Sequence, residues 1–168
     1  MPRSLDQLFE STYATLREIA GRHLERPGSN GAISATDVVH ECYLKLLSAS
    51  YLDGFEHRQF LALAARALRQ VLVDHARQAQ RLKHGDVWRR ITLTSGLLAQ
   101  ENDVDVLELH EALGRLEKLN PRQARIIELR YFSGLSIDET AAVLEVSART
   151  IDGEWHMARA WLKRELSK

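Results

Sequence analysis

Two short polar signatures near the C-terminus have the residue types and the spacing to bind nucleic acid. Ser136 is followed three residues later by Glu139. That is the pattern of a capping box, in which a hydroxyl and a carboxylate reciprocally satisfy two free donors at a helix start. Ile137, Ala141 and Leu144 face inward, and small Ala141 and Ala142 permit close approach of a neighbouring helix. Glu145-Val146 makes a tight turn, with Val146 filling the core. Ser147 then caps a second helix that opens with Ala148, Arg149 and Thr150 and is held by Ile151, Trp155, Ala158 and Leu162. Helices over 136–144 and 148–162 make a helix-turn-helix, whose second helix lays its first residues against base edges in the major groove. The outward residues suit that task. Arg149 can pair with guanine or a phosphate, Thr150 with a phosphate or a thymine methyl, and Glu154 with a cytosine amino group. His156 and Arg159 add backbone contacts, and Ser147 at the cap completes the set. An ordinary helical hairpin with solvated charges needs no box, turn and second cap in that order.

A second candidate is a basic helix further upstream. Arg66, Arg69, Arg77 and Arg81 recur along it, beside His75, Lys83 and His84. Such a row can track phosphates, although a merely solvated face has the same composition. Tyr51 and Phe55, in the preceding loop YLDGFEHRQ, can stack on an unpaired base, whereas Phe60 belongs with the core.

The chain has 168 residues, zero net charge at pH 7, 45% hydrophobic and 27% charged residues, an ordinary globular balance. Zero net charge argues weakly against nucleic acid, but the charge is segregated. Residues 66–90 carry seven Arg and Lys against Asp74 and Asp86. Residues 101–111 carry Glu101, Asp103, Asp105, Glu108 and Glu111 with no Lys or Arg. No apolar run reaches the length of a membrane span, and MPRSLDQLFESTY lacks a secretory core. A single cysteine, Cys42, fits a reducing cytoplasm and reads as core. No catalytic residue, metal site or cofactor is expected. His40-Glu41 starts like a zinc-protease motif, but Leu44 stands where the second histidine belongs, and the seven histidines have no ligand spacing.

The elements that position these residues are all helical. Leu5, Leu8, Phe9, Tyr13, Leu16 and Ile19 predict a helix over 4–24, which RPGSNG ends. SATDVVHECYLKLL predicts a second, with Val38, Val39, Cys42, Tyr43, Leu46 and Leu47 inward. A long helix runs from about Glu56 to 81–84, its stripe formed by Phe60, Leu61, Ala64, Leu68, Val71, Leu72 and His75. Residues 93–106 lose periodicity and read as a linker. Then come a helix over 106–119 and another that Asn120 caps and Pro121 starts, ending near Ser133-Gly134. No segment alternates as a strand does. The expected fold is all-α, with two small helical domains (1–92 and 107–168) joined by a flexible linker (93–106), the C-terminal domain being the helix-turn-helix.

TDVVHECYLKLL with FLALAARALRQVLVDHARQAQR resembles the second conserved region of extracytoplasmic-function (ECF) sigma factors, and LNPRQARIIELRYFSGLSIDETAAVLEVSARTIDGEWHMARAWLKREL resembles their fourth. The resemblance covers nearly the whole chain apart from the linker. It implies a subunit that binds core RNA polymerase through its clamp helices and flap, binds promoter DNA, melts and reads the −10 element with the first domain, and reads the −35 element with the second. By position it places Asp37, Glu41, Leu44 and Lys45 on the clamp, and Tyr51, Phe55, Arg66, Arg69, Arg77 and Arg81 on the −10 element. Ser147, Arg149, Thr150, Glu154, His156 and Arg159 fall on the −35 element.

Two departures from the family pattern stand out. Ser34-Ala35-Thr36-Asp37 replaces an Asp-Ala-Glu-Asp run, so hydroxyls stand where two carboxylates are common. Asp152 and Gly153 replace Lys and Ser in the recognition helix. The first departure raises the hypothesis that a serine/threonine kinase restores the charge at Ser34 or Thr36, Thr36 being favoured because it abuts Asp37; the plain alternative is that both are only N-cap residues. An anti-sigma factor is the other control partner the resemblance implies. A competing reading is a helix-turn-helix regulator whose N-terminal helices sense a ligand or dimerise. It accounts equally well for the C-terminal half but not for a basic helix behind an aromatic loop. A purely structural helical adaptor would need none of the DNA-reading residues.

Overall fold

The computed structural model describes residues 4–24, 33–48, 55–81, 90–92 and 103–168. Its described elements are α1 (Leu5–Leu24), α2 (Ala35–Leu47), α3 (His57–Arg81), β1 (Arg90–Thr92), β2 (Asp103–Asp105), α4 (Val106–Leu119), α5 (Pro121–Phe132), α6 (Ile137–Leu144) and α7 (Ala148–Leu166). The architecture is helical, as the periodicity predicts. One departure is a three-residue antiparallel ladder, Arg90↔Asp105, Ile91↔Val104 and Thr92↔Asp103. Three-residue strands are too short to show sustained alternation, so the pattern carries no signal for them. The ladder takes 103–105 out of the expected linker, and Val106 already belongs to α4.

Local chemistry accounts for the helix boundaries. Ser34 caps α2 in a capping box with Asp37: Asp37 N donates to Ser34 Oγ at 3.1 Å, and Ser34 N donates to Asp37 Oδ2 at 3.0 Å. Asn120 caps α5, accepting from Gln123 N at 3.1 Å, with Pro121 in the first turn. Gly134, at φ 68°, takes the left-handed conformation that ends α5, and Leu135 N donates back to Leu129 O. A Cβ at Gly134 would lie 3.5 Å from Ile19 Cδ1, so the turn after α5 rests against α1.

α1 and α2 pack on α3 through Leu8, Leu16, Val38, Val39 and Cys42. Buried Thr12 satisfies its hydroxyl by donating to Leu8 O at 2.9 Å. Burial pushes the Cys42 thiol up to about 12, which leaves it an inert core group. α4, α5 and α7 continue the same apolar core through Leu109, Leu113, Ile126, Ile127, Phe132 and Leu162. α3 runs through this core, packing on α1 and α2 and also on α4, α5 and α6. Its expected stripe is one buried face, including Phe60, Ala64, Leu68 and Val71. Ala62 and Val73 are buried too, and with Arg66 and Arg69 they recur every three or four residues on the opposite side. A helix buried on two sides lies between two layers, and its composition shows it: five of its alanines are buried.

Candidate nucleic-acid interface

The helix-turn-helix is built as its caps dictate. Glu139 N donates to Ser136 Oγ at 3.1 Å, and Ser136 N donates to Glu139 Oε2 at 2.8 Å. Thr140, fully buried, donates to Ser136 O at 2.7 Å. α6 ends at Glu145, held at φ 55°, ψ 41°, and Val146 N donates to Ala141 O at 3.1 Å. Val146 is half-buried and packs against the core. Ser147 Oγ then accepts from Thr150 N at 3.1 Å, and the Ser147 and Thr150 hydroxyls share a hydrogen bond of 2.8 Å.

α7 is anchored by Ile151, Trp155, Ala158 and Leu162, all buried. It runs to Leu166, four residues past the expected end. Trp155 is gripped by cations: the Arg130 guanidinium carbon lies 4.4 Å and that of Arg159 5.6 Å from its ring centre. Burial pulls Arg130 below its ordinary value, with Arg159 adding to the effect. This anchoring leaves Arg149, Asp152, Gly153 and His156 exposed together. His156 Nδ1 lies 2.7 Å from Asp152 O.

Glu154 is placed differently from its expected role. Its carboxylate is forked by Arg122 of α5, with Nε at 2.8 and 3.0 Å and Nη2 also bonded. Hydrogen bonding to Glu154 raises Arg122 above its ordinary value. The pair ties α7 to α5, so the cytosine contact expected of Glu154 would require that fork to break. Arg122 lies 32 residues from Glu154, and no local pattern announces such a partner.

The α2–α3 surface joins other expected residues. His75 Nε2 meets both Glu41 carboxylate oxygens, at 2.9 and 3.0 Å. Lys45 Nζ pairs with Asp74 at 3.2 Å. The Ser34 hydroxyl, which donates to Asp37 at 2.7 Å, holds the Asp37 carboxyl below the usual carboxylate range. Leu44 is 63% exposed, and Leu47, expected inward, is 47% exposed: two large apolar side chains on a surface that also presents Asp37, Glu41 and Lys45. On α3, Arg77 and Arg81 are exposed. Arg69 is not: its side chain is 15% exposed and points at α5. Phe55 is half-buried against the core, while Tyr51, Lys83 and His84 lie outside the described residues.

The model of the family described as "ECF sigma factor" matches residues 2–168. The chain belongs to the ECF sigma factor family. It is also similar to the ECF RNA polymerase sigma factor BldN of Streptomyces coelicolor (strain ATCC BAA-471 / A3(2) / M145), being 29% identical over 123 residues. That match takes in 68% of this chain and 44% of BldN, so it spans less than half of the relative's length. Among solved structures, CnrH in complex with the cytosolic domain of CnrY is similar at 23% identity and TM-score 0.44, covering 97% of this chain and 87% of the matched one. Among the described residues of this family member, no helix is long and apolar enough to cross a membrane.

Proposed function

We propose that this ECF sigma-family chain binds core RNA polymerase, directs it to specific promoters and helps melt the −10 element. Residues 1–92 would engage polymerase and the −10 element, residues 107–168 the −35 element, with 93–106 between them. The observation that carries the reading is the doubly capped helix-turn-helix, which offers Arg149 exposed at the start of a rigidly held α7. Family membership supports the polymerase half of the reading. So does the α2 face, where Leu44 is exposed among charged groups, the chemistry of a protein contact.

The test is transcription from a promoter library with purified core polymerase. The chain should direct initiation from a subset of promoters sharing −10 and −35 sequences. Arg149→Ala should relax preference at one or two −35 positions, a contact of that kind being worth about 1–3 kcal/mol. Sequence-specific DNA binding without co-elution or initiation with core polymerase would instead favour a helix-turn-helix regulator.

The finer part of the proposal concerns control at the start of α2. Ser34 is committed to the cap through bonds to and from Asp37, so a phosphate there would break the box. Thr36, in the first turn, is half-buried and takes no part in the box. A phosphate on Thr36 adds about −1.5 to −2 charges where the helix dipole favours an anion. We expect Thr36→Glu to tighten binding to core polymerase and Thr36→Ala to abolish any gain from a serine/threonine kinase. Tight binding by the unmodified chain with no change in Thr36→Glu would end the idea.

A further inference from the structure

The buried stripe of α7, Ile151, Trp155, Ala158 and Leu162, fixes which side of that helix is left to meet a groove. Over its first turns the open side carries Arg149, Asp152, Gly153 and His156. Two of the polar residues expected at base edges are engaged elsewhere. Glu154 is forked by Arg122, and the Thr150 hydroxyl shares a hydrogen bond with Ser147 at the cap. His156 is not engaged in that way, and its side chain is 65% exposed. The sequence assigns it only a contact with the DNA backbone. Its geometry suits a base.

One ring nitrogen of His156 is already committed. Nδ1 lies 2.7 Å from the backbone oxygen of Asp152, one turn earlier. A carbonyl oxygen only accepts, so Nδ1 carries the hydrogen and donates it. A neutral imidazole has one donor and one acceptor, which makes Nε2 the acceptor. Among the described residues Nε2 meets no partner. The same bond draws the ring back along α7 toward its cap, the direction helical side chains take. That is also the end a helix-turn-helix lays against base edges. Gly153, next to Asp152, has no side chain, and nothing stands within 4 Å of where one would begin. The approach to the ring from that side is open.

Histidine is the side chain whose charge ordinarily changes between about pH 5 and 8. Protonation leaves Nδ1 a donor and turns Nε2 from acceptor to donor. The charged groups around α7 leave this change to the ring itself. Asp152 Oδ1 lies 3.6 Å from Nδ1. On α5, Arg130 lies over Trp155 and senses Arg159 and Asp152, while Arg122 is paired with Glu154. α6 carries Asp138, Glu139 and Glu145, with Glu139 in its capping box. α4 meets the far end of α7 through Arg115, which Glu165 holds. Among the described residues only Asp152 comes within ion-pair distance of the His156 ring.

We propose that His156 reads a base of the −35 element through Nε2, and that the charge on the ring decides which base. Neutral, Nε2 accepts from an exocyclic amino group, cytosine N4 or adenine N6; protonated, it donates to guanine O6 or N7. The Asp152 carbonyl is the positioning group that makes Nε2 the reading atom. All of this rests on α7 being the −35 helix. The place of the base follows as well. His156 comes about two helical turns after Arg149, about 10 Å along the axis or about three base-pair steps.

The experiment uses the full chain with core polymerase, on promoters carrying each of the four bases at each −35 position, at about pH 5.8 and about pH 8. The free chain is run in parallel on duplexes of the same set at low salt. At the higher pH, wild type should prefer cytosine or adenine over guanine by about fivefold at one position. That position should lie about three base pairs from the one that Arg149→Ala relaxes. At the lower pH guanine should gain about fivefold there, while the other positions keep their order. His156→Phe should flatten that one position at both pH values. His156→Gln should keep a preference for adenine that no longer moves with pH, and it decides the matter if circular dichroism shows that the phenylalanine variant loses helix. A wild-type preference that ignores pH, or one that survives in both variants unchanged, would overturn the proposal. So would a loss spread evenly over all sequences, which makes His156 a phosphate contact. Failure to initiate with core polymerase, beside a choice of duplex that depends on pH and on His156, would sink the polymerase reading and spare His156. Selective initiation that is indifferent to His156 would do the reverse. A wild type that selects no sequence by either route would sink both.

Discussion

Gly153 stands four residues after Arg149, on the same exposed side of α7 and one turn further from its cap. A glycine inside a helix costs about 0.5–1 kcal/mol against alanine, and a Cβ here meets nothing within 4 Å. Gly153→Ala should therefore raise the unfolding free energy by about 0.5–1 kcal/mol in urea denaturation. If the glycine exists to let a sugar–phosphate strand approach the backbone, the same variant should lose −35 affinity while gaining stability. Gains in both would make it a plain weak point of the helix. The sequence showed Gly153 and Arg149 at once, because both act through local spacing. It could not show that Glu154 is held by Arg122 or that Arg69 is held by Glu128. Those pairings are 32 and 59 residues apart and exist only once helices pack.

At the scale of elements, helix starts were legible because caps are local. Ser34, Asn120, Ser136 and Ser147 each accept the bond their position predicts. Helix ends were less so. α6 closes on Glu145 at positive φ, a conformation that usually calls for glycine or asparagine, so nothing in the residue type marks it. What holds it is the tertiary frame around Val146 and Trp155, which fixes the turn on both sides. α3 taught the opposite lesson. Its expected stripe through Phe60, Ala64 and Leu68 is buried as read, yet the opposite side buries Ala62 and Val73 and covers most of Arg69, with Arg66 at its exposed edge. Periodicity reads a face with arginines as solvated, and only the α4–α5 layer makes it interior. The ladder of β1 and β2 escaped for a simpler reason: runs of three residues hold barely one period of strand alternation, too little to stand out from a loop.

For the whole molecule, zero net charge and the DNA-reading role proposed for α7 have to be reconciled. The described structure does so by segregation. Arg149 is exposed on α7, with Lys163 and Arg164 in its last turn, and Arg77 and Arg81 on α3. Arg66 and Arg69 are drawn to Glu128, Arg122 to Glu154, and Arg115 to Glu165 at 3.1 Å. On α7 itself Arg149, Lys163 and Arg164 are then exposed to displace counterions from a duplex, and Asp152 opposes Arg149. Each phosphate neutralised contributes about −0.9 to the slope of log affinity against log salt. The isolated chain should thus bind a −35 duplex weakly, with a slope shallower than about −4. Bound to core polymerase, the same chain should gain affinity chiefly through the polymerase's own phosphate contacts. Filter binding of free chain and holoenzyme from about 50 to 300 mM salt measures both slopes, a range over which phosphate contacts change affinity steeply. A slope of about −6 or steeper for the free chain would mean that the ion pairs of α3 and α5 open on DNA without polymerase. Arg149→Ala refines the outcome. If Arg149 reads a base, the variant keeps the wild-type slope and loses discrimination at one position. If it touches a phosphate, the slope falls by about 0.9 and all sequences weaken alike.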